Sequence, residues 1–162
     1  FAPHIWRCVQ RGATLGERMD NCFTEVFAGA LGPAGSGKDA VIIGSDSPDL
    51  PCAYVQEAFA RLSAGADMVL GPAEDGGYYL IGLRAPQPDL LGDIVMSTPT
   101  VLADTLARAA TRCLQVALLP PWYDVDTISE LARLSAALRH APLRSAAATR
   151  AFLLQLQTGL LP

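Results

Sequence analysis

Short runs dominated by apolar residues alternate along this chain with longer segments that are apolar on one helical face only. The strand-length runs are Ala40–Gly44, Asp67–Gly71, Tyr78–Leu83 and Cys113–Leu119. Such runs are typical of strands that are buried on both faces of a sheet. Six residues separate the second run from the third, which is too few for a parallel crossover. The pattern predicts an α/β fold with a mixed, mostly parallel sheet flanked by helices in three layers.

The segments with helical periodicity carry clear start signals. Thr14 and Glu17 have the spacing of a capping box, and so do Thr127 and Glu130. Proline suits the first turn of the second and third helices. The predicted helices run from Thr14 to about Gly29, from Pro51 through Leu62, from Thr98 to Ala110, from Thr127 to about His140, and from about Leu143 to Gln157.

The composition restricts the class of protein. Apolar residues make up 51% of the 162 residues and charged residues 17%, so a sizeable buried core is expected and disorder is excluded. Lys and Arg number 12 against 16 Asp and Glu, a net charge of −4, which leaves no basic surface for nucleic acid. No apolar run reaches the roughly 18–20 residues needed to cross a bilayer. We therefore expect a cytoplasmic protein without nucleic-acid or membrane partners.

The cysteines and the first residues bear on the redox state and the extent of the chain. Cysteines stand at positions 8, 22, 52 and 113, so the C-x-x-C pair of zinc or dithiol chemistry does not occur. Reduced, mostly buried thiols are expected. Residue 1 is Phe, and the residues after it lack the character of a signal peptide. We expect residues 1–162 to form a single domain of a longer protein, incomplete at its N-terminus.

One phosphate-binding motif is rejected. The residues from Gly32 to Lys38 match G-x-x-x-x-G-K, the pattern of the NTPase phosphate loop. Asp39 stands where a Ser or Thr hydroxyl must ligate magnesium. The predicted order is also helix, loop, strand, whereas a phosphate loop needs a helix directly after it. A flexible connector is the better interpretation.

Two acidic loops each follow a predicted strand. Asp46 follows the first strand, and Asp126 follows the fourth. Asp46 could also form an Asx turn or cap a helix, but Asp126 has no such role because Thr127 takes the cap position. If both loops meet at one edge of the sheet, two carboxylates about 4 Å apart would repel each other by roughly 4 kcal/mol at an effective dielectric near 20. This repulsion is avoided only if one carboxylate is protonated or a cation lies between them. Oxygen ligands without nearby His or Cys favour Mg²⁺ or Mn²⁺.

A third loop combines acids, glycines and aromatic residues. Gly76 and Gly77 could simply form a hairpin turn, or they could let the backbone approach a ligand closely. Asp75 could accept hydrogen bonds from substrate hydroxyls, and Tyr78 could stack on a ring. The two histidines, His4 and His140, lie far from these loops in sequence, so a Ser–His or Cys–His nucleophile has little support.

Four segments together resemble one protein family. They read G-S-D-S-P-D-L-P from Gly44, G-P-A-E-D-G-G-Y-Y-L-I-G-L from Gly71, S-T-P-T-V-L-A-D-T-L from Ser97 and W-Y-D-V-D-T from Trp122. The chain resembles the radical-SAM/selenodomain-associated transferases, also known as DUF2064 or cofC-like glycosyltransferases. The resemblance implies a fold of the GT-A, nucleotide-diphospho-sugar transferase type, with the first βα unit lacking here. It also implies relation to guanylyltransferases and CMP-Kdo synthetase.

The same resemblance implies roles for particular residues. Asp46 and Asp126 match the two metal-binding carboxylates, and Asp75 matches a catalytic position in the acceptor or sugar loop, together with Gly76, Gly77 and Tyr78. The loop that touches the nucleotide base in guanylyltransferase relatives matches Gln10, Gly12, Leu15, Gly16 and Arg18. A capped helix start would explain that last segment equally well.

The implied function is a metal-dependent GT-A glycosyltransferase that uses a nucleotide-diphospho-sugar and a small-molecule acceptor. A guanylyltransferase-like enzyme that releases pyrophosphate is the alternative. The chain also departs from the family pattern, because the opening strand and the basic P-G-x-V-K-T-R-L loop are absent and Met96 replaces a common Trp. Without those cations a third possibility stays open, namely a catalytically silent fragment.

Overall fold

A computed structural model describes residues 7–30, 39–143 and 145–157 as an α/β fold. The helices are α1 (Leu15–Phe27), α2 (Cys52–Ser63), α3 (Val101–Thr111), α4 (Ile128–His140) and α5 (Ala147–Gln157). The strands are β1 (Ala40–Ile43), β2 (Met68–Pro72), β3 (Tyr78–Leu83) and β4 (Val116–Leu118). The rejected phosphate-loop segment, residues 32–38, lies outside the described residues.

The described strands form one mixed sheet in the order β1-β3-β2-β4. β3 runs antiparallel to both of its neighbours, with Ile81 opposite Ile42 on β1 and opposite Leu70 on β2. β2 and β4 are parallel. The prediction of a mixed sheet is therefore confirmed: three strands share a direction and β3 opposes them. The carboxyl ends of β1, β2 and β4 consequently meet at one sheet edge.

Apolar side chains on the two faces of the sheet pack against different helices. Met68 and Leu70 of β2 belong to a buried cluster that includes Phe23 of α1 and Val101 of α3. Val69 points to the other face, where the buried cluster also holds these residues: Ala58, Leu62, Tyr79, Leu80 and Leu119. Side chains alternate between faces with period two, so the continuous apolar runs follow from burial on both faces.

The caps that the sequence predicts are present at two helix starts. Thr14 Oγ1 accepts the Glu17 N–H at 3.1 Å, and Glu17 Oε2 accepts the Ala13 N–H at 2.7 Å. Thr127 and Glu130 form a complete capping box at the start of α4. These bonds satisfy backbone donors that have no partner inside the helix.

Four local predictions are wrong. α3 begins at Val101 rather than at Thr98, whose carbonyl accepts the Val101 N–H in the turn before the helix. The fourth strand was expected from Cys113, but Cys113 has φ 55° and donates its N–H to Ala110, so it ends the turn after α3. α5 begins at Ala147 rather than near Leu143, because Ser145 donates to Pro142 O in a turn. Three of the four thiols are exposed, and only Cys22 is partly buried.

None of the helices described here combines the length and the apolar composition that a bilayer crossing requires.

Asp20 of α1 is a buried carboxylate that generates a testable pH dependence. Its Oδ2 accepts the Leu91 N–H at 2.9 Å, while Oδ1 has no hydrogen-bond partner among the described residues. Burial raises the pKa of Asp20 above 3.8. The folded state thus binds this proton more tightly than the unfolded chain, so the contribution of Asp20 to the free energy of unfolding falls as the pH rises through the interval between the two pKa values.

We expect the Asp20→Asn variant to lose less stability than the wild-type chain as the pH rises above about 4, because Asn does not titrate and can still accept the Leu91 N–H. Urea unfolding of both proteins at several pH values measures the difference. Identical pH dependence in the two proteins would contradict the assignment.

Candidate functional site

The loops that follow β1, β2 and β4 are joined by backbone hydrogen bonds at the carboxyl edge of the sheet. The Val125 N–H donates to Asp46 O at 2.9 Å, which ties the loop after β4 to the loop after β1. The Glu74 N–H donates to Trp122 O at 3.0 Å, and the Trp122 N–H donates to Pro72 O at 3.0 Å. The loop after β4 therefore contacts both of the other acidic loops.

A cavity of 490 Å³ lies at this edge. Three carboxylates line it, Asp46 from the loop after β1, Asp75 from the loop between β2 and β3, and Asp124 from the loop after β4. The hydroxyl-bearing residues Ser45, Ser97 and Thr98 also line the cavity. Among the described residues that line this cavity, none is Lys or Arg. Its polar lining is therefore anionic and rich in hydrogen-bonding oxygen.

Asp124 is the cavity residue that the sequence argument missed. Its Oδ1 accepts a hydrogen bond of 2.7 Å from the buried Ser47 hydroxyl. Burial raises the pKa of Asp124, the Ser47 bond opposes that rise, and the charges of Asp46, Asp75 and Asp126 add to it. The sequence argument expected repulsion between Asp46 and Asp126, whereas the carboxyl group whose pKa the neighbouring charges raise is that of Asp124. The D-x-D spacing of residues 124 and 126 was the available signal.

Asp46 depends on a glycine two residues earlier. A Cβ placed on Gly44 would lie 2.6 Å from Asp46 Oδ1, well inside the closest approach that carbon and oxygen allow. The Gly44 N–H also continues the pairing with β3 by donating to Tyr79 O at 2.9 Å. Gly44 therefore lets the strand end and the Asp46 side chain fold back within two residues.

The Asp75 loop is a hairpin turn and also part of the cavity. The Ala73 N–H donates to Gly77 O at 3.0 Å, which closes the turn, and Asp75 Oδ1 accepts the Gly77 N–H at 2.9 Å. Asp75, Gly77 and Tyr78 line the cavity, whereas Gly76 packs against Pro99 instead. Burial raises the pKa of Tyr78 to about 12, so its hydroxyl stays protonated at neutral pH.

Asp126 lies beside the cavity and does not line it in the described structure. It is exposed, and its backbone N–H donates to Glu130 Oε2 at 2.8 Å. That bond belongs to the start of α4 and leaves the Asp126 carboxylate outside the cap. Asp126 is still close enough to Asp124 to raise the pKa of that carboxyl group.

Only some of the residues expected to contact a nucleotide base line the cavity. Gln10 and Leu15 line the cavity. Gly12 and Arg18 form part of the helix start, where Arg18 Nε donates to Gly12 O at 3.1 Å. A Cβ on Gly16 would lie 2.2 Å from Leu91 O, so Gly16 permits close packing of α1 on that segment.

A cluster around Arg133 connects the loops from outside the cavity. Arg133 donates to both oxygens of Glu74 at 2.7 and 3.0 Å, and its guanidinium lies 3.9 Å from the ring centroid of Tyr123. Tyr123 donates its hydroxyl to Asp49 at 2.7 Å, and the Trp122 indole donates to the same carboxylate at 3.4 Å. α4 and all three loops therefore share one set of contacts.

The carboxylates do not form a closed metal centre by themselves. Within residues 7–30, 39–143 and 145–157 there is no group of three His, Cys, Asp or Glu side chains that could hold a metal ion. Mg²⁺ is commonly held by one or two carboxylates, with the remaining ligands supplied by water and substrate phosphate. The arrangement fits that open type of site.

Comparison with known proteins identifies the family. A family model described as an uncharacterized protein conserved in bacteria, DUF2064, matches residues 1–98. The chain belongs to the DUF2064 family. No curated protein matches it.

A solved structure resembles this DUF2064 chain over most of its length. It comes from Desulfovibrio desulfuricans G20 and is named as a candidate nucleotide-diphospho-sugar transferase. The two proteins share 34% sequence identity, and the TM-score is 0.76. The match covers 92% of this chain, and the chain spans 64% of the length of that relative.

Gly76 provides a test of how the Asp75 loop is packed. A Cβ at Gly76 would lie 2.1 Å from Pro99 O, and its φ of 94° is unfavourable for other residues. We expect Gly76→Ala to lower the free energy of unfolding by about 1–3 kcal/mol. The matched variant Gly77→Ala meets only the Asp75 side chain, at 3.2 Å, and should cost less than about 1 kcal/mol. Equal losses in urea unfolding would show that the Pro99 contact is not the cause.

Proposed function

We propose that this protein is a metal-dependent transferase that moves a sugar from a nucleotide-diphospho-sugar to a small-molecule acceptor. The observation that carries the proposal is the convergence of Asp46, Asp75 and Asp124, from three separate loops, on one cavity. The likeness to a relative named for the same class of donor supports it. The GT-A type of fold, with its three layers, is part of this proposal.

The charge of the cavity supports the proposed requirement for a metal. A diphosphate that approached these carboxylates without a cation would be repelled, because no described Lys or Arg lines the wall. We propose Asp46 as one ligand of the metal ion. The second ligand is a carboxylate of the loop after β4, either Asp126 or Asp124. Asp126 is the ligand that the family resemblance implies, and Asp124 is added because it lines the cavity. When bound, Mg²⁺ or Mn²⁺ neutralises the diphosphate and stabilises the charge that develops on the leaving nucleotide.

The residues of the chain then bind and orient the two substrates. The Ser47 hydroxyl donates a hydrogen bond to Asp124 Oδ1, which holds this carboxylate in one orientation at the cavity. Asp75 orients the acceptor hydroxyl and accepts its proton as the oxygen bonds to the sugar carbon and the bond to the diphosphate breaks. The Gly77 N–H holds Asp75 Oδ1 during this step.

The reaction is tested by its products. We expect the full chain, supplied with Mn²⁺, nucleotide-diphospho-sugars and candidate acceptors, to release a nucleoside diphosphate, and we expect a chelator to stop the release. Release of pyrophosphate from nucleoside triphosphates would instead establish nucleotidyl transfer. Failure to bind Mn²⁺ and to release either product would favour a catalytically silent chain.

Substitution of single carboxylates tests their roles. We expect Asp46→Asn and Asp126→Asn each to lower turnover by more than about tenfold, roughly 1.4 kcal/mol, and Asp124→Asn to do the same, because each removes a charge from the proposed metal site. Mn²⁺ binding, measured by titration, should weaken in parallel.

The matched control is Asp93→Asn. Asp93 is exposed and pairs with Arg108 at 3.0 Å away from the cavity, so the same change of charge should leave turnover and Mn²⁺ binding unaltered. Retention of more than about a tenth of the activity in Asp46→Asn would contradict a direct metal role for that residue.

A further inference from the structure

The cavity has a second, apolar wall that the proposed chemistry does not use. Its members are Leu15, Met19, Ile42, Tyr78, Met96 and Val101. Five of them, all but the exposed Leu15, belong to or pack against one core cluster. We call these six residues the apolar wall.

Met96 contacts two other parts of the apolar wall. Leu15 and Met19 are one turn apart on α1 and so share a face. A Cβ on Gly16, between them, would lie 3.4 Å from the Met96 methyl carbon. The Tyr78 hydroxyl contacts the Met96 sulfur at 4.0 Å. Met96 therefore bridges α1 and the start of β3.

The apolar wall adjoins the loop of Asp75. Gly76, directly after Asp75, packs on Pro99, and its carbonyl accepts the Leu102 N–H at 3.0 Å. Met96 lies in the segment that leads to Pro99. The loop that carries Asp75, the carboxylate proposed to receive the acceptor, is thus packed against the segment that carries Met96.

The chemistry of this wall selects the kind of group that can lie on it. A hydroxyl-rich ring face would lose its hydrogen bonds to water there without replacement, which is unfavourable. An apolar or aryl group would be removed from water favourably. Methionine side chains are flexible and polarisable and adapt to irregular or aromatic groups.

We propose that the acceptor is amphiphilic. Its reacting hydroxyl is presented to Asp75, and an apolar substituent attached to the same molecule lies on Met19 and Met96. The proposal rests on the proposed function, which supplies the acceptor role of Asp75, and it adds the class of acceptor: an apolar or aryl alcohol or glycoside rather than a free sugar.

The three methionines of the chain provide the test. Met68 is fully buried in the core and does not line the cavity, so it is an internal reference. In the full chain with ¹³C-methyl methionine, we expect phenyl glucoside to shift the methyl signals of Met19 and Met96 and to leave that of Met68 unchanged. Methyl glucoside and glucose, with matching hydroxyls, should bind at least about tenfold more weakly.

A polar substitution of similar length tests the wall directly. Met96→Gln should reduce the affinity for phenyl glucoside by about tenfold while leaving Mn²⁺ binding unchanged, because Met96 is not a proposed ligand. Met96→Leu, which keeps the wall apolar, should retain the affinity to within about threefold. Equal binding of phenyl glucoside by Met96→Gln and the wild-type chain would overturn the proposal.

The remaining outcomes separate this proposal from the proposed function. If uridine or guanosine shifts Met19 and Met96 and phenyl glucoside does not, the wall binds a nucleobase and the acceptor proposal is wrong. If a nucleoside diphosphate is released in the product assay but no glucoside discriminates by its apolar group, the proposed function stands and this inference fails. If phenyl glucoside binds as expected but no donor is cleaved, the proposed function and the acceptor role fail together, and only the binding of apolar groups by the apolar wall stands.

Discussion

The hydrogen bond from the Val125 N–H to Asp46 O, 2.9 Å long, is the contact on which the site depends. β1 and β4 are at opposite edges of the described sheet, with β3 and β2 between them. Their loops can meet only if one of them crosses the carboxyl edge of the sheet. The loop after β4 does so, and on the way it also bonds to Glu74 through Trp122 O. One backbone path therefore brings three acidic loops together.

Crowding of carboxylates at that edge is offset by fixed polar contacts rather than by basic residues in the cavity. Ser47 donates to Asp124, and the Gly77 N–H donates to Asp75. Arg133 lies outside the cavity, where it pairs with Glu74 and stacks on the ring of Tyr123. Burial and the neighbouring carboxylates still raise the pKa of Asp124 despite the Ser47 bond, so a cation bound beside it would relieve the crowding. This supports the metal dependence of the proposed transferase.

Most of the fold was predictable because burial on both faces leaves a direct trace in the sequence. The apolar runs gave the four strands, and the short link between β2 and β3 required an antiparallel strand. The caps at Thr14 and Thr127 followed from hydrogen-bonding side chains alone. Backbone conformation was less accessible: a non-glycine residue at φ 55°, Cys113, carries no local signal, and it shortened β4.

The site was predictable only in part, because the choice between neighbouring carboxylates is made by a residue far away in sequence. Asp124 and Asp126 lie two residues apart in the same loop. Because Thr127 is the helix cap, the sequence argument favoured Asp126 as the carboxylate that is free to bind a ligand. What draws Asp124 to the cavity is Ser47, 77 residues earlier, which is buried by the fold and donates to it. No local sequence pattern joins residues so far apart, so this partner becomes known only from the tertiary structure. The position of the apolar wall has the same origin, since Gly16 and Asp20 of α1 hold the Leu91 segment that leads to Met96. Core packing, rather than the loops themselves, therefore sets the shape of the cavity on that side.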